Sequence, residues 1–189
     1  MTAAFLLLLL GTAMVTHVMS IEDCDVVIAG GTTAALAAAL NAARDFPTVT
    51  VCLLEPTDWV GGQLTVSAVT AIDYGPLDRD KANQAQDFYD MMNIFPGNPG
   101  YCWVSDKCYQ PKDLLHKWIL PEIAAHVNLV VWYNTVIKAV SLSSSDGSSP
   151  GGTVSSVLAI QRLARNASAV WEVPYSQQLR DWYDLDDSP

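Results

Sequence analysis

Four groups of residues near the start of this chain have the types and spacing for chemistry on a phosphate-bearing ligand. Gly30-Gly31-Thr32-Thr33 follows the apolar run Asp25-Val26-Val27-Ile28-Ala29, Glu55 lies 25 residues beyond Gly30, and Gly61-Gly62-Gln63-Leu64-Thr65 comes soon after. A tight glycine turn between a strand and a helix turns backbone N–H groups and the helix N-terminus toward a pyrophosphate. An acid about 20 residues further on sits where the hydroxyls of an adenosine ribose lie, and a carboxylate accepts hydroxyl hydrogen bonds. The constellation points to a nucleotide cofactor.

These residues need a strand, a helix and a second strand to hold them. Residues 25–29 are short and apolar enough for a buried strand. Thr32–Arg44 is rich in alanine, with Leu36 and Leu40 among small side chains that let a helix lie close on a sheet. Pro47 disfavours helix at the residue before it, so Asp45-Phe46-Pro47 ends the helix. Thr48–Leu54 is β-branched and apolar, the second strand. Strand, crossover helix and strand in this order pair in parallel with a right-handed crossover.

The glycine pattern is degenerate. Of its three places, Gly30 meets the need for a tight turn. Thr32 stands where a glycine ordinarily lets the pyrophosphate approach, and Ala35 where one allows close helix packing. The hydroxyl of Thr32 is able to donate to a phosphate.

Beyond residue 65 the reading is coarser. Arg79–Met92 has a helical pattern, and Pro96-Gly97-Asn98-Pro99-Gly100 is irregular. Pro111 suits the first turn of a helix running to about His126, which Pro121 should kink or split. Asn128–Leu142 reads as one long strand and Thr153–Leu163 as another, joined through a flexible hairpin loop over residues 143–152. The tail is aromatic and then acidic over 184–189.

Composition excludes some functions. Half the residues are apolar, 16% are charged, and 20 acids against 10 bases leave a net charge of −10. Nucleic acid is not an expected partner, because phosphate neutralisation needs clustered Lys and Arg. His116 and His126 stand ten residues apart, too far to ligate one ion as a pair, so no metal site is expected, and no residue is nominated as a catalytic acid or base. Residues 1–20 read as an export signal, placing the protein in a secretory lumen or outside the cell; the alternative is an uncleaved membrane anchor, since Ala3–Met19 offers 17 residues against the ~20 that span a bilayer. Export makes Cys102 and Cys108 candidates for a short disulfide loop, while Cys24 and Cys52 are expected to be small buried hydrophobes. Asn166-Ala167-Ser168 is a glycosylation acceptor pattern.

The run Asp25-Val-Val-Ile-Ala-Gly-Gly-Thr-Thr-Ala-Ala-Leu, then Leu54-Glu55 and Val60-Gly61-Gly62-Gln63-Leu64-Thr65, resembles the N-terminal region of the FAD-dependent oxidoreductase family. Cys102-Trp103-Val104-Ser105 and Asp181-Trp182-Tyr183 are similar to later segments of its members. The resemblance implies an incomplete Rossmann-like FAD/NAD(P)-binding domain of α/β class over residues 21–189, with a parallel βαβ core and a β-hairpin. It implies FAD rather than NAD, because a glycine pair follows the ribose acid. Carried over by position, Gly30, Gly31, Thr32 and Thr33 would surround the pyrophosphate, Glu55 would bind the ribose, and Gly61, Gly62, Gln63 and Thr65 would run toward the flavin. Family members continue through a returning strand and an Asp-Ala-Thr-Gly-like motif that closes the flavin site, which is not found here, and a substrate domain is absent too. The expectation is therefore a truncated flavoprotein oxidoreductase acting on a small-molecule substrate; the alternative is an inactive secreted binding protein derived from one. Without the returning strand, the strand at residues 25–29 would be an exposed edge able to mediate self-association.

Overall fold

A computed structural model describes residues 23–72, 82, 84–95, 105, 107–143 and 152–161. The expected export signal, the Pro96–Gly100 segment, Cys102, the glycosylation acceptor and the acidic tail lie outside the described residues.

The α/β expectation holds. Strand β1 (Val26–Ala29), helix α1 (Thr33–Asp45) and strand β2 (Val51–Glu55) form the βαβ unit. Strand β5 (Leu129–Tyr133) adds to the other side of β2, giving a parallel sheet of order β1-β2-β5. The central strand β2 is buried along its whole length, as a parallel strand covered on both faces should be. On one face Val26, Ile28, Val51, Leu53, Leu129 and Val131 meet Leu36, Ala39, Leu40 and Ala43 of α1 in the core. Ala39 and Ala43 are among the least exposed side chains, so the alanines bring the helix onto the sheet. The strand β1 is the outer strand among the described residues, and Val27 is 37% exposed.

The second strand begins at Val51 rather than Thr48, because residues 47–49 form the turn out of α1. Asn128 secures that turn: its side-chain amide donates to the carbonyls of Ala43, Phe46 and Val49 at 2.9–3.1 Å. Helix α2 (Gln86–Ile94) starts later than its apolar pattern suggested, and Arg44 of α1 reaches both carboxylate oxygens of its Asp87 at 3.0 Å. Two-residue strands β3 (Ala71–Ile72) and β4 (Lys107–Cys108) pair antiparallel.

Pro121 does not split its helix. Helix α3 (Pro111–Leu114) passes into a π-helical turn, Leu115–Ile119, and on into helix α4 (Leu120–Ala124). Leu120 N–H donates five residues back to Leu115 O. A proline ring collides with the carbonyl four residues before it, and a widened turn just upstream gives that carbonyl room.

The long strand expected over 128–142 is two strands. Asn134 adopts φ 54°, a left-handed conformation that asparagine tolerates, and turns β5 into β6 (Thr135–Ser143). Strand β6 leaves the parallel sheet and pairs antiparallel with β7 (Thr153–Gln161), with register shifts between Ile137 and Ala139 and between Ser141 and Leu142. Among the described residues no helix is long and apolar enough to cross a membrane.

The reading of Cys24 and Cys52 as free hydrophobes is corrected. They form a disulfide across the amino ends of β1 and β2, with Cα atoms 5.8 Å apart. Neighbouring parallel strands bring the two within bridging distance although 28 residues separate them. Cys108 is disulfide-bonded as well; Cys102, its expected partner, lies outside the described residues. The 24–52 bridge closes a loop holding the whole strand–helix crossover. Replacing both cysteines by alanine should lower stability by roughly 3–4 kcal/mol on loop-closure entropy, measured as a lower urea midpoint with a steeper slope, because the unfolded chain is released from its cross-link.

Candidate functional site

The carboxyl ends of the three parallel strands converge: β1 delivers Gly30, β2 delivers Glu55, and β5 delivers Tyr133. Gly30 N–H still donates to Leu54 O at 2.8 Å, so sheet pairing runs into the turn. Gly30 then takes φ 87°, open to glycine without a Cβ penalty. This reverses the chain and aims α1 across the strand ends.

Thr32 is the N-cap of α1, and its hydroxyl accepts from Ala35 N–H at 3.2 Å. This spares the hydroxyl proton. The amides of Thr33 and Ala34, in the first helical turn, have no carbonyl four residues back within the helix. They give the exposed helix N-terminus an anion-binding character.

Glu55 is 4% exposed and sits against Gly31. A Cβ built on Gly31 would collide with Glu55 Oε2, so a side chain there would have to displace the carboxylate. Its other oxygen, Oε1, accepts from both the N–H and the hydroxyl of Thr57, each at 2.7 Å. The expected ribose acid thus presents a single oxygen, Oε2, toward the glycine turn. Tyr133 is Glu55's partner in the sheet register; burial, then the nearby Glu55 charge, raises its hydroxyl pKa above the usual value.

The glycine pair is docked on the first turn. Gly61 N–H donates to Gly31 O at 2.7 Å, and Thr33 Oγ1 donates to Gly61 O at 2.9 Å. Gly62, with φ 52°, lies so close that a Cβ there would be 3.0 Å from Thr32 Cα. The short 3₁₀ turn Gly62–Leu64 follows, with Gln63 exposed. Thr65 is 1% exposed and its hydroxyl donates to Val60 O at 2.6 Å. Gly30, Gly31, Thr32, Thr33, Glu55, Gly61 and Gly62 are therefore brought together; Gln63 borders them, and Thr65 is turned inward to hold the loop.

Sequence reasoning missed Thr57. Its signal was position: a Thr two residues after an acid at a strand end is placed to close a local side-chain–backbone turn. It also missed the Asn134 N–H, which donates to Thr57 O at 2.9 Å and ties β5 to this loop. Among the described residues no group of three or more His, Cys, Asp or Glu could hold a metal ion.

A family model described as FAD dependent oxidoreductase matches residues 25–166. No curated protein matches the chain in sequence. Among solved structures, THI4 of Thermovibrio ammonificans is similar at 15% identity and a TM-score of 0.45, over 74% of this chain and 47% of that one. The chain thus spans about half the length of that protein.

Within the turn, Gly30 is held to glycine by its φ of 87° and Gly31 by the space that Glu55 takes up. Gly31→Ala should displace the Glu55 carboxylate or the turn itself and destabilise the chain by about 1–3 kcal/mol. A thermal melt reads the loss, and the paired variant Gly31→Ala/Glu55→Ala should recover part of it by removing the colliding oxygen.

Proposed function

The chain belongs to the FAD dependent oxidoreductase family, and on that premise we propose that the site at residues 30–65 holds FAD as part of a flavoprotein oxidoreductase. The observation that carries this reading is the fit of Glu55 Oε2 against Gly31 at the mouth of the glycine turn. That arrangement sets a hydroxyl acceptor and the helix N-terminus on the same strand ends. A ribose and a pyrophosphate need these two features side by side.

The residues present fit the cofactor. The turn Gly30–Thr33 and the first-turn amides of α1 would hold the pyrophosphate, with the Thr32 hydroxyl as an added donor. Glu55 would hold the adenosine ribose. Gly61, Gly62 and Gln63 would border the path toward the flavin, and Thr65 would keep that loop in shape from within. The flavin, when bound, supplies the acceptor for a hydride from a small-molecule substrate. The chain's own contribution is to bind, orient and balance charge.

Retention of a flavin absorption band through gel filtration, after the chain is mixed with FAD, is the expected result. Glu55→Ala should weaken FAD binding about tenfold to a hundredfold, the loss of a hydrogen bond to a charged acceptor. FAD that passes straight through the column, with NAD protecting the chain against thermal unfolding, would overturn the choice of cofactor.

We propose that the protein occupies a secretory lumen or the extracellular space. The Cys24–Cys52 bridge and the bonded Cys108 support this, since disulfides persist in oxidising compartments. Cysteines freely alkylated without prior reduction, in protein taken from its own cell, would count against it. The outer position of β1 among the described residues and the exposed Val27 support self-association along that edge. Sedimentation velocity should then show a species heavier than the monomer that grows with concentration; a monomer at every concentration would dismiss it.

A further inference from the structure

We propose that Thr57 is a positioning residue that presets the Glu55 carboxylate for a vicinal diol. This rests on reading the site as an adenosine site. A glutamate side chain has three rotatable bonds, and fixing them at the moment of binding reduces affinity. Here they are fixed beforehand. A carboxylate oxygen has two lone-pair directions, and Thr57 occupies both at Oε1 through its N–H and its hydroxyl, each at 2.7 Å. Oε2 is left as the acceptor, held against the Gly31 backbone.

Thr57 is anchored in its turn. Its hydroxyl accepts from Trp59 N–H at 3.2 Å, and its carbonyl accepts from Asn134 N–H at 2.9 Å. The single hydroxyl proton has two acceptors in reach, Glu55 Oε1 at 2.7 Å and Trp59 O at 2.9 Å. The ionised oxygen makes the stronger bond, so the proton goes to Glu55. Thr57 therefore acts on the diol through Glu55, and its removal should cost selectivity for the diol rather than affinity for the rest of the nucleotide.

The test is calorimetric titration of the full chain with ADP and with 2′,3′-dideoxy-ADP. The unmodified chain should prefer ADP by about tenfold or more, as expected for a hydrogen bond to a charged group. Thr57→Val keeps the shape and one Oε1 donor, the backbone N–H. It should reduce the preference to about two- to threefold while leaving dideoxy-ADP affinity unchanged, and Thr57→Ser should restore it. Thr57→Ala is read in the same way should the valine variant fail to fold. A merely structural role would weaken both ligands equally, and an unchanged ADP preference in Thr57→Val or Thr57→Ala overturns the proposal. Absence of ADP binding, or equal affinity for both ligands in the unmodified chain, is a separate result that overturns the adenosine reading itself.

Discussion

The contact between Glu55 and the bare backbone of Gly31 is the constraint on which the rest of this site depends. A carboxylate that is 4% exposed has little contact with water, so the protein donors that reach it govern where it can sit. One oxygen is served by Thr57, and the other is held at the mouth of the turn because residue 31 has no side chain. Every neighbouring feature follows that placement. The β1–β2 register must bring Ala29 beside Leu54 so that the two strand ends finish level. Gly30 must reverse the chain at once, and α1 must start two residues after Gly31 for its N-terminus to face the same space.

Several elements serve to keep those strand ends level. The Cys24–Cys52 bridge joins β1 to β2 at the opposite end of the sheet from the site, which limits sliding between two short strands. Asn128 ties the turn before β5 to the turn before β2, so the second and third strands share one origin. Asn134 then lets β5 end beside Glu55 and sends the chain into a hairpin of different direction. The alanines of α1 matter for the same reason: a bulkier helix would stand off the sheet and carry the N-cap away from the glycine turn.

Much of this was legible in the sequence, and what was not has identifiable physical causes. The strand–turn–helix–strand unit, the parallel pairing, the acid at the end of the second strand and the second glycine pair follow from periodicity and from residues with narrow conformational roles. The break at Asn134 was hidden because β-branched and aromatic residues flank it on both sides, so that propensity ran straight through a left-handed residue. The widened turn before Pro121 was not legible because a proline signals a disturbed helix ladder without saying what form the disturbance takes. The Cys24–Cys52 pairing depended on strand register, a long-range property that cysteine spacing does not encode. Thr57 went unnoticed because threonine is common in loops, and its value lies wholly in where Glu55 points.

The most instructive departure is the threonine at the second place of the glycine pattern. Glycine is ordinarily required there because something must come close to the backbone. In this chain Thr32 has an ordinary φ of −60°, its side chain is exposed, and it caps α1. The residue that favours glycine is instead Gly62, where φ is 52° and a Cβ would stand 3.0 Å from Thr32 Cα, while Gly61 is bonded to the turn from both sides. The demand for close packing between the two loops is met from the second loop, which leaves the first free to carry a hydroxyl. The threonine at residue 32 thus keeps its hydroxyl at the exposed start of α1 without blocking the approach of the second loop. The glycine pair after Glu55 has a structural reason to be there before any cofactor arrives, and the two glycine-containing loops form one unit whose shape is set jointly.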